Sequence, residues 1–409
     1  MNYRVYDPVR DKAAVHRIFR EVGWHREGKE EMIDLFLEAG RTLVVDIHGE
    51  PECVVGTSPG VIRYLREDLP LCAVTSVCTS RIARRQGLGK RLTAEAVAAF
   101  ALDGALVAAL GVFDQGYYDQ IGFGTTSYEH VIAFDPQHLN VRVRPRVPRR
   151  LTLDDWEAIH ASRLVRVRGH GSLNILSPTL TRAEMLEAPN GFGLGYCDGP
   201  GGELTHSIWF RAPDVEYGPY EIKWLVYQTP SQFLELMALI QNLGDQVRLV
   251  TMHEPQGIQL QDLLDRPLRR RDMTRGSPYE NAVYAFGEFQ MRICDLPGCM
   301  ERARLPWGEV RFNLSLTDPV ERLLDAKAPW RGVAGEYMVT LGPSSGAERG
   351  RNPALPTLTA TVNAFTRMWL GVRPATGLAV TDDLAGPPEL LERLDWVLRM
   401  PEPKPDFEF

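Results

Sequence analysis

The chain has 409 residues, of which 44% are hydrophobic and 24% are charged, a composition typical of a globular protein with about three domains. The net charge of −7 argues against nucleic acid as the main partner. The N-terminus lacks the apolar region of a signal peptide, and Asp103-Gly104 interrupts the longest apolar stretch, so no membrane span is expected. The six cysteines and nine histidines show no metal-ligand spacing, which predicts reduced thiols, no metal and a cytoplasmic location.

The first part of the chain alternates helical and strand patterns. Two amphipathic helices precede a series of short strands, and one helix then connects two strands. A hairpin-rich start followed by such a crossover predicts a mixed sheet with helices on both faces. The predicted helices are 12–22, 30–39 and 89–102, and the predicted strands are 41–47, 52–56, 61–66, 71–79, 105–112 and 127–133.

A strand, a basic turn and an alanine-rich helix follow one another over residues 73–102. Arg84, Gly87 and Gly89 give the turn the pattern Arg-x-x-Gly-x-Gly. Glycine lets the backbone adopt a positive φ and approach a ligand closely, and the N-terminus of the helix offers free N–H groups to an anion. The pattern is neither the nucleoside-triphosphate loop nor the dinucleotide fingerprint. These residues predict a pocket for a pyrophosphate.

A joint rich in proline and arginine, residues 142–150, separates the first part from the second and is interpreted as an extended linker. The second part repeats the strand and helix order of the first, but Pro230 stands where the basic glycine turn would be. The third part contains further strands and helices and ends on a tail with three prolines. We therefore expect three domains, at residues 1–140, 141–286 and 287–409.

The pattern Arg-x-x-Gly-x-Gly on a strand, turn and helix resembles the acetyl-CoA loop of the GCN5-related N-acetyltransferases. Tyr118 to Gly124, Tyr-Asp-Gln-Ile-Gly-Phe-Gly, is similar to another motif of these enzymes. The three-part plan and the segments 311–319 and 359–371 resemble the Eis (enhanced intracellular survival) family. The resemblance implies an α/β fold of two tandem acetyltransferase domains with mixed, splayed sheets, the central one degenerate. The third domain would resemble a sterol carrier protein, and the assembly would be a homo-oligomer, hexameric in the family.

The resemblance also implies roles for individual residues. Tyr118 would be the general acid, and the terminal carboxylate of Phe409, on a tail that reaches the active site, would be the base. Trp24 and Glu408 are candidates for contact with a cationic substrate. The implied cofactor-binding residues are Val77, Cys78, Thr79, Arg84, Arg85, Gln86, Gly87, Leu88, Gly89, Lys90, Phe113 and Asp114.

These groups suit transfer of an acetyl group from acetyl-CoA to a primary amine by a sequential mechanism. An amine must lose a proton before it attacks the thioester, and a neutral tyrosine can protonate the departing thiolate. The acceptor stays open among polyamines, aminoglycoside-like cations and lysine side chains. Tyr117 competes with Tyr118 as the acid, Trp24 is equally interpretable as a core residue, and Cys78 is interpreted as packing and not as a nucleophile. The alternative function is a lipid or acyl-CoA carrier or sensor that uses the third domain.

Overall fold

The computed structural model describes residues 1–25, 27–112, 114–188, 190–265, 267 and 274–407. The strands of these residues are β1 Asn2–Val5, β2 Arg41–Ile47, β3 Glu50–Tyr64, β4 Glu67–Thr79, β5 Val107–Gly111, β6 Gly124–Thr125, β7 Glu129–Phe134, β8 Arg149–Leu151, β9 Leu173–Ile175, β10 Phe192–Tyr196, β11 His206–Arg211, β12 Tyr220–Val226, β13 Val250–His253, β14 Ala282–Phe286, β15 Phe289–Ile293, β16 Val310–Thr317, β17 Gly335–Leu341, β18 Gly346–Arg349, β19 Thr357–Thr361 and β20 Leu384–Ala385.

The helices of the same residues connect or cover these strands. They are α1 Lys12–Val22, α2 Glu30–Glu38, α3 Leu88–Leu102, α4 Gln115–Tyr118, α5 Trp156–Leu164, α6 Pro178–Glu187, α7 Pro230–Asn242, α8 Leu296–Arg302, α9 Val362–Trp369, α10 Ala375–Thr381 and α11 Pro388–Val397. No helix of the described ranges is long and apolar enough to cross a membrane.

The chain packs into two compact units, and the first contains residues 1–127, 169–177 and 287–409. Its larger sheet has the order β1-β2-β3-β4-β5-β15-β6, with β9 paired to β3. Helix α3 places its small apolar residues against β3 and β4, and Leu92, Ala96 and Val97 are fully buried there. The residues that follow the second unit thus supply β15, a strand inside the sheet of the N-terminal residues.

A second sheet of the same unit is built entirely from the last part of the chain. Its order is β18-β17-β16-β19-β20, and β16 is antiparallel to β17 but parallel to β19. The N-cap of helix α9 is Thr361, whose side chain accepts a hydrogen bond from the N–H of Ala364. The helix buries Phe365 and Trp369, so it is anchored firmly beside the strands.

The second unit contains residues 128–168 and 178–286. Its seven strands follow the order β14-β7-β13-β12-β11-β10-β8. Strands β12 and β13 are parallel, and helix α7 buries Leu236, Met237 and Ile240 in the core of this unit. The N-cap of α7 is Thr229, followed by Pro230, so the counterpart of the glycine turn is a conventional capped helix start.

The structure confirms the predicted mixed α/β class and most predicted elements, with two corrections. The strands predicted at 52–56 and 61–66 are parts of one strand, β3, which passes through an irregularity between Gly56 and Thr57. The strand predicted at 127–133 exists as β7, but it pairs with β13 and β14 in the second unit instead of closing the first. Periodicity identifies a strand, whereas its partner depends on distant residues.

Candidate active site

Strands β4 and β5 separate in the middle of the first sheet. They pair in parallel from Leu71 with Val107 to Val74 with Leu110, and their described residues form no ladder beyond that point. In the ladder with β3, Gly56 pairs with Ser76 and Thr57 with Val74, so Thr75 is an extra residue of β4 at the point of separation. Such a bulge bends a strand. On this side residues 75–79 have no partner strand among the described residues, and we call this unpaired edge the opening.

The predicted basic turn stands at the end of this opening. Arg85 has a φ of 61° and Gly87 a φ of 75°, so the turn needs left-handed conformations at two positions. Helix α3 starts immediately afterwards, and no side chain caps its N-terminus at Gly87. The amides of the first helical turn lack intrahelical acceptors, and the helix dipole adds positive potential. Arg84, Arg85 and Gln86 are exposed around these amides, which makes the turn suitable for a phosphate group.

The side chains of alternate β4 residues face this turn. A β carbon placed on Gly89 would lie 3.4 Å from Thr79 Oγ1, 3.7 Å from Val77 Cγ1 and 2.5 Å from the hydroxyl of Tyr117. The structure therefore brings Tyr117 to Val77, Thr79 and Gly89, which come earlier in the sequence. A side chain at Gly89 would overlap the Tyr117 hydroxyl, whereas at Gly87 it is the positive φ that favours glycine.

The two adjacent tyrosines differ in their surroundings. Tyr117 is half-buried, and burial raises the pKa of its hydroxyl to about 12. Tyr118 is 3% exposed, its ring lies edge-on to Phe123 at 6.3 Å, and burial raises its pKa above the ordinary value of 10.0. Both hydroxyls therefore stay protonated at neutral pH, and Tyr117 is the more accessible of the pair.

Other predicted residues lie in the turn or near it. The ammonium group of Lys90 lies 2.5 Å from Oε1 of Gln120, which ties α3 to the segment after the tyrosines. Asp114 caps α4 by accepting from the N–H of Gly116 at 3.1 Å. Leu88 is buried and packs in the core below the turn. Burial raises the pKa of the Cys78 thiol, so this cysteine is held neutral and is unsuited to act as a nucleophile.

The predicted substrate residues divide between described and undescribed parts of the chain. Trp24 follows α1, is 50% exposed and makes an edge contact with Phe19 at a centroid distance of 5.9 Å. It therefore offers part of its ring to the solvent instead of filling the core. Phe113, Glu408 and Phe409 lie outside the described residues.

The sequence matches no protein-family model and no curated protein. Solved structures are similar over nearly the whole chain. A conserved protein of unknown function from Enterococcus faecalis V583 has a TM-score of 0.77 at 18% identity, covering 100% of this chain and 99% of that one. A GCN5-related N-acetyltransferase from Anabaena variabilis has a TM-score of 0.75 at 14% identity and covers 98% of both chains.

These similarities show that the chain has the fold of the GCN5-related N-acetyltransferases. One particular neighbour is Eis1 from Mycobacterium abscessus, with a TM-score of 0.74 at 16% identity. The likeness covers 100% of both chains.

Sequence reasoning missed the residues that hold the tyrosine segment from the far end of the chain. Arg292 and Asn363 donate hydrogen bonds to residues 119–123, and Asp318 holds Arg292. Only Asp318 and Asn363 fall within segments that carry the family resemblance, and neither has a spacing that indicates chemistry. Their contacts depend on the tertiary structure alone.

Proposed function

We propose that the protein is an acetyl-CoA-dependent N-acetyltransferase that acts on a primary amine by a sequential mechanism. The observation that carries the proposal is the opening between β4 and β5, which ends at the uncapped N-terminus of α3. A pyrophosphate fits the amides of residues 85–90, and an extended pantetheine arm fits along residues 77–79. Backbone groups of a separated strand can bind such an arm as a neighbouring strand would.

The chemistry requires one group that accepts a proton and one that donates it. A tyrosine hydroxyl donates a proton to the departing CoA thiolate, and an N–H group of β4 stabilises the oxyanion. The family resemblance favours Tyr118 as this donor, whereas accessibility favours Tyr117. The terminal carboxylate of Phe409 stays a prediction for the base. The amine attacks the thioester carbon directly, so no acyl-enzyme is needed and Cys78 takes no part.

The remaining expectations from the family resemblance are part of the same proposal. We assign catalysis to the domain predicted at residues 1–140, although its strand β7 pairs within the second unit and its sheet includes β15. The domain predicted at residues 141–286 is assigned as a degenerate copy, and that at residues 287–409 as similar to a sterol carrier protein. The loss of the glycine turn before α7 supports the assignment of the second domain as non-catalytic. A cytoplasmic homo-oligomer, hexameric by resemblance, completes the proposal. An exposed Trp24 is suited to contact a cationic amine through its ring.

The direct experiment measures release of CoA thiol when the protein is mixed with acetyl-CoA and an amine. The amines are spermidine, an aminoglycoside and a lysine peptide, each tested at several concentrations. We expect saturable turnover with at least one of them and none without amine. Binding of CoA without turnover by any amine would support the alternative function of an acyl-CoA sensor.

A further inference from the structure

Gly122 and Gly124, which follow the tyrosine pair, lie in close contact with the last part of the chain. Gly122 has a φ of 89°, and a β carbon there would lie 2.7 Å from Val362 Cγ1 and 2.8 Å from Arg292 Nη1. A β carbon on Gly124 would lie 2.7 Å from the carbonyl oxygen of Asn363. Any side chain at either position would push α9 away. The pattern Gly-Phe-Gly is therefore explained by the contact with the C-terminal segment, residues 287–407.

The C-terminal segment also binds the carbonyl groups of this turn. The side-chain amide of Asn363 donates to the carbonyl oxygens of Asp119 at 2.9 Å and Phe123 at 2.8 Å. Nε of Arg367 donates to the carbonyl oxygen of Thr125 at 3.0 Å. Arg367 is itself held by both carboxylate oxygens of Asp382, at 2.7 and 2.6 Å. Two residues of α9 thus satisfy three backbone acceptors of residues 119–125.

A buried ion pair also contacts the same turn. The side chains of Arg292 and Asp318 are both fully buried, and Nη2 lies 2.5 Å from Oδ2. Nη1 of Arg292 donates to the carbonyl oxygen of Ile121, and Asp318 also accepts from the N–H of Val333 at 2.9 Å. The carboxylate of Asp318 also accepts from the N–H of Val320 at 3.1 Å, and removal of either partner of this charge-assisted pair leaves a buried charge. The pair therefore connects the carbonyl group of Ile121 to β15, the strand that carries Arg292.

We propose that Asn363, Arg367 and the Arg292–Asp318 pair are positioning residues that hold the Tyr117–Tyr118 segment in its productive geometry. This inference rests on the proposed acetyltransferase function and gives the C-terminal segment a role in catalysis. Both tyrosines lie at the end of the four-residue helix α4, which is followed by a single turn at residues 119–121, and these elements are too short to be rigid alone. A proton donor must hold its position to a fraction of an ångström. The segment thus acts on the reaction through the tyrosine.

The substitution Asn363→Asp tests the proposal with little change in shape. It replaces the two N–H donors by an acceptor that faces two carbonyl oxygens, so the turn loses its support. The control is Asn352→Asp in the same segment, because Oδ1 of Asn352 accepts from the N–H of Ala354 at 3.0 Å and a carboxylate preserves that bond. We expect Asn363→Asp to lower kcat by about tenfold or more without change in the affinity for CoA, and Asn352→Asp to change neither.

A double-mutant cycle separates positioning from general damage. The first substitution is Tyr117→Phe or Tyr118→Phe, whichever lowers kcat more. Adding Asn363→Asp to that variant should cause little further loss of kcat. A full additional loss in that background would overturn the proposal. If Asn363→Asp does not fold, Arg367→Lys takes its place, since lysine can keep the pair with Asp382 but has no Nε donor for Thr125.

Hydrogen exchange keeps this inference distinct from the proposed function. Amides of residues 119–125 should exchange faster in Asn363→Asp than in the unsubstituted chain or in Asn352→Asp, with or without activity. If the protein acetylates no amine but Asn363→Asp still exchanges faster, the proposed acetyltransferase function is refuted. The structural role of Asn363 is then supported. Unchanged exchange in an active enzyme would refute the positioning role.

Discussion

The hydroxyl of Tyr117 lies directly against Gly89 at the first turn of α3, so that a β carbon on Gly89 would be 2.5 Å from it. This contact connects the predicted cofactor turn with the predicted acid in one cluster. It also shows that the two glycines of the turn have different functions. Gly87 provides a backbone conformation, and Gly89 provides room for a side chain from another element.

The first prediction concerns Gly89. Gly89→Ala should lower the free energy of unfolding by about 1–3 kcal/mol, because the new methyl group overlaps the Tyr117 hydroxyl. Adding Tyr117→Phe removes the overlapping oxygen and should restore part of the loss. Urea unfolding of the two variants and of Tyr117→Phe alone measures this. Equal destabilisation with and without the hydroxyl would show that the contact does not determine the residue at position 89.

The second prediction concerns the cofactor. Gly87→Asp forces a non-glycine residue to a φ of 75° and adds negative charge beside the amides of residues 88–90, so we expect the Kd for CoA to rise about 100-fold or more. The matched control is Gly49→Asp in the β2–β3 hairpin, where φ is 91° and a β carbon also meets nothing within 4 Å. Calorimetric titration with CoA compares them. Similar affinities in both variants would disprove the phosphate site.

The third prediction separates the two tyrosines. Tyr118→Phe should bind CoA normally but lose about 10²-fold in kcat, while Tyr117→Phe should lose much less. The family motif indicates Tyr118 as the acid and therefore predicts this order. The greater exposure of Tyr117 predicts the opposite order. Steady-state kinetics with a saturating amine decides between them. A reversed order would assign the proton donor to Tyr117, one residue before the position that the sequence motif indicates.

The fourth prediction concerns acid stability. His170 is buried, accepts from the N–H of Leu65 through Nδ1 at 3.0 Å, and lies with Nε2 2.9 Å from the carbonyl oxygen of Leu370. Burial lowers its pKa from 6.5 to about 4. The neutral imidazole therefore stabilises the fold fully above about pH 6.5, and up to about 3 kcal/mol is lost as the pH falls towards 4.

Urea unfolding between pH 7.5 and 4.5 measures this loss. His170→Gln should flatten the pH dependence in that window, since glutamine does not titrate. The control is His48→Asn, a substitution at an exposed histidine whose left-handed φ of 56° suits asparagine. An unchanged slope in His170→Gln would contradict the assignment.

The glycine turn could be predicted from the sequence because its determinants are close together. Residues 84–89 and the following alanine-rich helix specify a strand, a turn and a helix start within about 20 positions, and the structure has all three. The separation of β4 from β5 had no such signal. It coincides with a bulge at Thr75, and the other edge of β5 pairs with β15, a strand some 200 positions away in the sequence.

The sequence by itself determined the mixed α/β class, most helices and strands, and the basic turn, since each depends on local periodicity or on the conformational range of one residue. Only the tertiary structure decided which strands pair, which tyrosine is the more accessible, and that Asn363 and Arg292 support the turn after Tyr118. Hydrogen bonds and close contacts between residues 170 or more positions apart leave no periodic pattern in the sequence. They exist because the folded chain brings their atoms together.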